Sequence, residues 1–139
     1  MSNRLKWVDD LCFLAETASG HAIVLDAAAE KGGRNRGVRQ MEMLLLGAAG
    51  CMSFDVMSMM KKAKEDVRDV WVDIDNQRAD DFPKVFTAIH FHFVFSGKNL
   101  KTSTIERAIK LSSEKYCSAS IMLGKTAKMA YTYEIRDVD

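Results

Sequence analysis

Residues 40–64 set the strongest limit on what this chain can become. The stretch has the length of one helix, and Leu44, Leu45, Leu46, Met52, Phe54 and Met60, among others, put apolar side chains on nearly every face of it. A helix apolar all round must be buried all round. With 139 residues the chain is one ordinary domain, 1–139, too small to enclose such a helix by itself. The pattern therefore predicts a central buried helix whose cover is completed by a second copy of the chain. Gly47 and Gly50 lack side chains and would let another element approach closely. Lys61, Lys62 and Lys64 suit the negative end of the helix dipole. The uncharged run from Met43 to Phe54 lies between Glu42 and Asp55, which is too short to cross a bilayer.

Short apolar alternations on either side of this helix predict strands. Residues 4–8, 11–17 and 21–26 read as three short ones, with Ser19-Gly20 as a hairpin signal. Residues 27–38, with Gly32, Gly33 and Gly37, read as a mobile loop. Residues 67–78 and 84–96 read as two long strands joined through Asp80, Asp81 and Pro83. In the second, Val85, Thr87, Ile89, Phe91, Phe93 and Phe95 alternate onto one face. Ser103-Thr104-Ile105-Glu106 has the form of a capping box opening a second helix, with Ile105, Ala108, Ile109 and Ser112 on one face. Ser118 is placed to cap a third short helix ending at Gly124, and 128–136 reads as the last strand. The result is an α+β domain with antiparallel sheet packed on helices.

Charge excludes one function class. Lys and Arg total 20 against 19 Asp and Glu, so the clustered basic excess of a nucleic-acid-binding chain is missing. The one basic cluster, Lys31, Arg34, Arg36 and Arg39, reads as a solvated loop, with contact to an anionic substrate as the alternative. The N-terminal residues lack an apolar signal core, which predicts retention in the cytoplasm. The 3 cysteines, odd and sparse, then read as free or redox-active thiols.

Cys12 falls in a strand and reads as structural. Cys51, mid-helix, is by position alone a small core hydrophobe. Cys117 stands just before a predicted helix N-terminus, where backbone amides favour a thiolate, so by position it is the more acidic thiol. An ordinary packed thiol is an equal reading there. His90 and His92 share a strand face and could form a metal pair, but without a third ligand a polar sheet face explains them as well. No phosphate loop, zinc motif or Ser-His-Asp signature occurs, so no cofactor is implied.

Two of these segments resemble a known family. Met41-Glu42-Met43-Leu44-Leu45-Leu46-Gly47-Ala48-Ala49-Gly50-Cys51 resembles the first-cysteine helix of OsmC/Ohr proteins. Glu114-Lys115-Tyr116-Cys117-Ser118 resembles their second-cysteine segment, 66 positions further on. The similarity is greatest to the small bacterial YhfA-like branch, and the order of elements agrees along the whole chain. The resemblance implies an OsmC-like fold with sheets around the central helix and an intertwined homodimer with its sites at the interface. It also implies reduction of organic hydroperoxides: Cys51 attacks the peroxide, Cys117 closes a disulfide with it, and an external dithiol reopens that bond. Active members hold the thiolate with an Arg from the N-terminal strands and a Glu ten residues before the first cysteine. Here the strands between Phe13 and Ile23 offer Glu16 and His21 but no Arg, and Met41 holds the Glu position. Arg39, with Arg34 or Arg36, and Glu42 are the candidate replacements.

Overall fold

The computed structural model describes residues 2–138. Two compact units divide within the long helix, Met1–Leu45 and Leu46–Asp139.

The first unit opens with an antiparallel meander: β1 (Arg4–Asp9), β2 (Cys12–Glu16) and β3 (Ala22–Leu25), paired in that order. The β2–β3 hairpin closes where Ser19-Gly20 predicts it, with Gly20 at φ 93° and the Thr17 amide donating to the His21 carbonyl at 2.8 Å. The following loop has local structure of its own. It contains a 3-10 turn, Ala29–Lys31, and is latched by the buried Asp26 carboxylate. That carboxylate accepts from the Ala27 amide at 2.8 Å, and from the Arg36 amide and Nε at 3.1 and 3.2 Å. Gly33 and Gly37 are needed there, because a Cβ on either would collide with the carbonyl of Ala27 or Val24.

The helix α1 (Gln40–Lys62) starts with a cap of its own making: the Glu42 carboxylate accepts from the Arg39 backbone amide at 2.9 Å. Its buried residues, Leu45, Ala48, Ala49, Met52, Val56 and Met60, recur every three or four positions and form a single stripe. All-round burial, as expected from the sequence, is not met within one chain. Leu44, Leu46 and Phe54 are 50%, 57% and 74% exposed, and nothing lies within 4 Å of a Cβ built on Gly47 or Gly50. By length and composition α1 could also cross a membrane. Its periodic buried stripe, and an Asp55 side chain bonded to Ser112, give it instead the character of a core helix.

In the second unit, β4 (Asp66–Arg78) and β5 (Phe86–Lys98) pair antiparallel, and β6 (Lys128–Asp137) lies on the other side of β5. The expectation of purely antiparallel sheets fails here, since β5 and β6 run parallel. A parallel pair needs a crossover longer than a hairpin. It is supplied by α2 (Thr102–Leu111), a π turn (Ser112–Tyr116) and α3 (Ser118–Leu123). Ile89, Phe91, Phe93 and Phe95 are buried as their alternation predicts, but Val85 is 41% exposed and Phe86 is buried. Gln77 pairs with Ala88 and Arg78 with Phe86, so a bulge at Thr87 reverses the faces below it.

The caps also differ from their sequence signals. Ile105, Ala108, Ile109 and Ser112 are all buried, but Ser103 does not cap α2. The N-cap is Lys101, whose amide donates to the Glu65 carboxylate at 2.8 Å. α3 is capped by the Cys117 side chain, not by Ser118.

Candidate active site

α1 brings Cys51 and the π turn brings Cys117 to one place within the second unit. Neither is in a disulfide: Cys117 is fully buried, Cys51 partly exposed, and the Cys51 thiol is in hydrogen-bonding reach of Cys117. The π turn is fixed by the Cys117 amide, which donates to the Ser112 carbonyl at 2.8 Å. Such turns hold one residue more than an α-helical turn and occur often at functional sites.

Cys117 makes three further contacts. Its thiol lies 3.9 Å from the Ala48 carbonyl of α1 as a donor. Its sulfur accepts from the Ser120 amide at 3.3 Å, and its carbonyl accepts from the Ser120 hydroxyl at 3.4 Å. Helix-terminal position alone predicts an acidified thiol; the structure reverses this. Burial pushes the Cys117 thiol up, the Ser120 hydroxyl and amide pull it back, and hydrogen bonding with Cys51 pushes it up again. The net direction is upward, so Cys117 is held as a protonated thiol. One short helix cannot supply enough amide dipole to overcome removal from water.

Two side chains beside the thiols carry no motif. Tyr131, on the core-facing positions of β6, has its hydroxyl in reach of the Ser120 side chain. Burial raises its ionisation, Ser120 lowers it, and the nearby Cys117 raises it, with a net upward direction. Asp55 accepts from the Ser112 hydroxyl at 2.9 Å. A tyrosine on a buried strand face needs a partner for its hydroxyl, and Asp55 lies one helical turn after Cys51; these are the signals by which the sequence could have marked them.

Arg39 and Glu42 are engaged at the start of α1. The Arg39 guanidinium donates to the Gly37 carbonyl at 2.9 Å and the Asp26 carbonyl at 3.5 Å, while Glu42 caps the helix. Arg34 pairs with Asp10 at 2.9 Å, and Arg36 pairs with Asp9 and with Asp26. Within the cluster Arg34 and Arg36 are thus paired with carboxylates, and Arg39 is bonded to backbone carbonyls. Burial pushes the Asp26 carboxyl up, yet hydrogen bonds from the Arg36 and Ala27 amides and the Arg36 side chain outweigh it and leave it below its ordinary value. Cys12 is buried in β2.

His90 and His92 share a sheet face, and one hydroxyl joins them. Thr132 Oγ1 lies 2.6 Å from His90 Nε2 and 2.7 Å from His92 Nδ1, and His92 Nε2 lies 3.1 Å from the Glu134 carboxylate. Among the described residues, no group of three or more His, Cys, Asp or Glu side chains is arranged to hold a metal.

Comparison with known proteins identifies a family. Residues 32–132 match the family described as OsmC-like protein. The chain is 40% identical over 135 residues to Protein YhfA of Escherichia coli K12, covering 97% of this chain and 98% of that protein. A crystal structure of a hypothetical protein from Aquifex aeolicus VF5 superposes with a TM-score of 0.87 at 26% identity, over 99% of this chain and 97% of that one. An organic hydroperoxide resistance protein OsmC from Legionella pneumophila has a TM-score of 0.67 at 16% identity, over 96% and 97% of the two chains, a likeness of fold.

Proposed function

The chain belongs to the OsmC-like protein family, and from that premise we propose that it reduces organic hydroperoxides through the Cys51–Cys117 pair, as a homodimer in the cytoplasm. The observation that carries this reading is the unequal setting of two adjacent thiols: Cys51 partly exposed, Cys117 fully buried. Attack on a peroxide requires access for the substrate; closing a disulfide requires only the neighbouring sulfur. Cys51 therefore takes the first role and Cys117 the second.

In the first step the Cys51 thiolate attacks the outer peroxide oxygen. The O–O bond breaks, the leaving alkoxide takes a proton and departs as an alcohol, and Cys51 becomes a sulfenic acid. The Cys117 sulfur then attacks the Cys51 sulfur. The S–O bond breaks, the thiol proton leaves with the hydroxyl as water, and a disulfide remains. An external dithiol reduces it by exchange and is itself oxidised to a disulfide. Exposed Phe54, three residues after Cys51 on α1, favours a substrate with a carbon skeleton, so hydrogen peroxide is the poorer one. The same open apolar face, with Gly47 and Gly50, supports a dimer formed on α1; an obligate interface of this kind buries on the order of 2,000 Å² or more.

A second reading, a redox-responsive or small-molecule-binding dimer with little turnover, is favoured by one observation: Arg34, Arg36 and Arg39 are all engaged by loop carboxylates or carbonyls. Dithiol-coupled turnover of cumene hydroperoxide by wild type, Cys51→Ser and Arg39→Ala separates the two. Loss in Cys51→Ser alone supports the enzyme without Arg39; equal rates in wild type and Cys51→Ser refute it. Light scattering that finds a stable monomer at low micromolar concentration would remove the dimer.

A further inference from the structure

The bond between Asp55 and Ser112 has no part in the chemistry described so far. Asp55 stands four residues after Cys51, so both project from the same face of α1, about 6 Å apart along its axis. Ser112 and Cys117 are the two ends of the π turn, joined by the Cys117 amide and the Ser112 carbonyl at 2.8 Å. Each end touches α1. Cys117 does so at Cys51 and at the Ala48 carbonyl, 3.9 Å away; Ser112 does so through its hydroxyl, which donates to Asp55 Oδ2 at 2.9 Å. Ser112 is fully buried, so without the carboxylate its hydroxyl would have no water to replace the bond. Between the two ends Ser113 is half-buried and bonds within its own segment, to the Lys110 carbonyl, and Glu114 to Tyr116 are exposed.

We infer that the Asp55–Ser112 bridge is the positioning device of the thiol pair. It holds the π turn against α1 in the register that keeps the Cys117 sulfur facing Cys51, and so sets how readily the disulfide closes. Asp55 and Ser112 are positioning residues: they touch neither peroxide nor the breaking bonds. The inference rests on the reading of Cys51 and Cys117 as a working pair. The governed step is the second one above, in which the S–S bond forms as the sulfenic S–O bond breaks and water leaves. Its equilibrium counterpart is exchange of the Cys51–Cys117 disulfide with an added dithiol, which requires no peroxide.

The test is that equilibrium, measured in dithiothreitol redox buffers and read by mass after alkylation. Ser112→Ala and Asp55→Ala should lower the closure constant about tenfold, equivalent to roughly 30 mV for two electrons. Ser112→Thr, which keeps the hydroxyl, should return it to within about twofold. Ser113→Ala removes a neighbouring hydroxyl that donates to the Lys110 carbonyl at 3.2 Å, and should leave it unchanged. Should either alanine variant fail to fold, Asp55→Asn keeps an acceptor of the same shape without the charge and should shift closure about threefold, because charge-assisted bonds are the stronger. Wild-type closure in Ser112→Ala or in Asp55→Asn overturns the inference, as does a wild type that forms no Cys51–Cys117 disulfide. A shifted constant in a protein whose wild type consumes no hydroperoxide keeps the positioning role and rejects the peroxidase.

Discussion

Asp26, with Asp9 and Asp10 from the end of β1, holds Arg36 and Arg34 of the loop between β3 and α1 in ion pairs; the Cys117 thiol is instead met by uncharged groups, the Ser120 amide, the Ala48 carbonyl and the Cys51 thiol. The loop fixes a backbone of awkward shape, and a buried carboxylate does so with amide bonds and an opposite charge as its partners. The Cys117 thiol lies out of water, where an isolated charge is costly and a protonated sulfur is the stable form. Charge at the loop thus shapes backbone, whereas the Cys117 sulfur itself meets only uncharged groups.

The largest effect that would test this contrast is on turnover. Cys51→Ser should lower dithiol-coupled consumption of cumene hydroperoxide by about 100-fold or more, whereas Arg36→Ala should change it by less than about threefold. If Arg36→Ala fell as far as Cys51→Ser, the loop charges would serve the thiols and the contrast would collapse. Next in size is the latch itself. Asp26→Ala leaves two backbone amides and the Arg36 Nε without their acceptor, and should lower the melting temperature of the reduced protein by roughly 5 °C or more. Unchanged melting by circular dichroism would mean that the loop holds without Asp26.

The two regions should also weaken at opposite ends of the pH scale. Asp9, through Arg36, and Asp26, through its amide bonds, bind protons more weakly folded than unfolded. Their stabilisation is complete above the ordinary value of 3.8 and disappears as pH falls through the lowered folded values. Cys117 binds its proton more tightly when folded, so its contribution is complete below 9.0 and declines as pH rises towards the raised folded value. Tyr131 adds a second alkaline loss above its ordinary value of 10.0. Urea titrations across pH should show Asp26→Asn reducing the acid loss, with the shares of Asp9, Asp66 and Glu134 remaining, and Cys117→Ser reducing the alkaline loss, with the shares of Tyr131 and Tyr133 remaining. Interchanged behaviour would contradict the assignment. The smallest effect is expected at the outer sheet face: His90→Ala should alter stability by no more than about 0.5 kcal/mol, with zinc producing no further shift in either form.

Most elements were legible in the sequence because their signals are local. The alternation of Ile89, Phe91, Phe93 and Phe95, the stripe of Ile105, Ala108 and Ile109, and the Ser19-Gly20 turn each depend on residues a few positions apart. Where the reading failed, a distant residue had intervened. Lys101 caps α2 by using Glu65, and the bulge facing Gln77 and Arg78 reverses the lower part of β5. In the loop at 27–38 the sequence shows the glycines but not their purpose: two of them allow a close backbone approach beside Asp26.

The site divides in the same way. By itself the sequence determined a long helix apolar on every face, two cysteines in separate helical segments, and so the family. Tertiary structure decided that the two sulfurs adjoin, that burial outweighs the helix terminus at Cys117, and that Asp55 meets Ser112 across 57 positions while Cys117 meets Ala48 across 69. Periodicity and capping act over one or two turns and are written in neighbouring residues. Desolvation and hydrogen-bond partnership depend on which distant segments exclude water from a group, and only the folded chain fixes that.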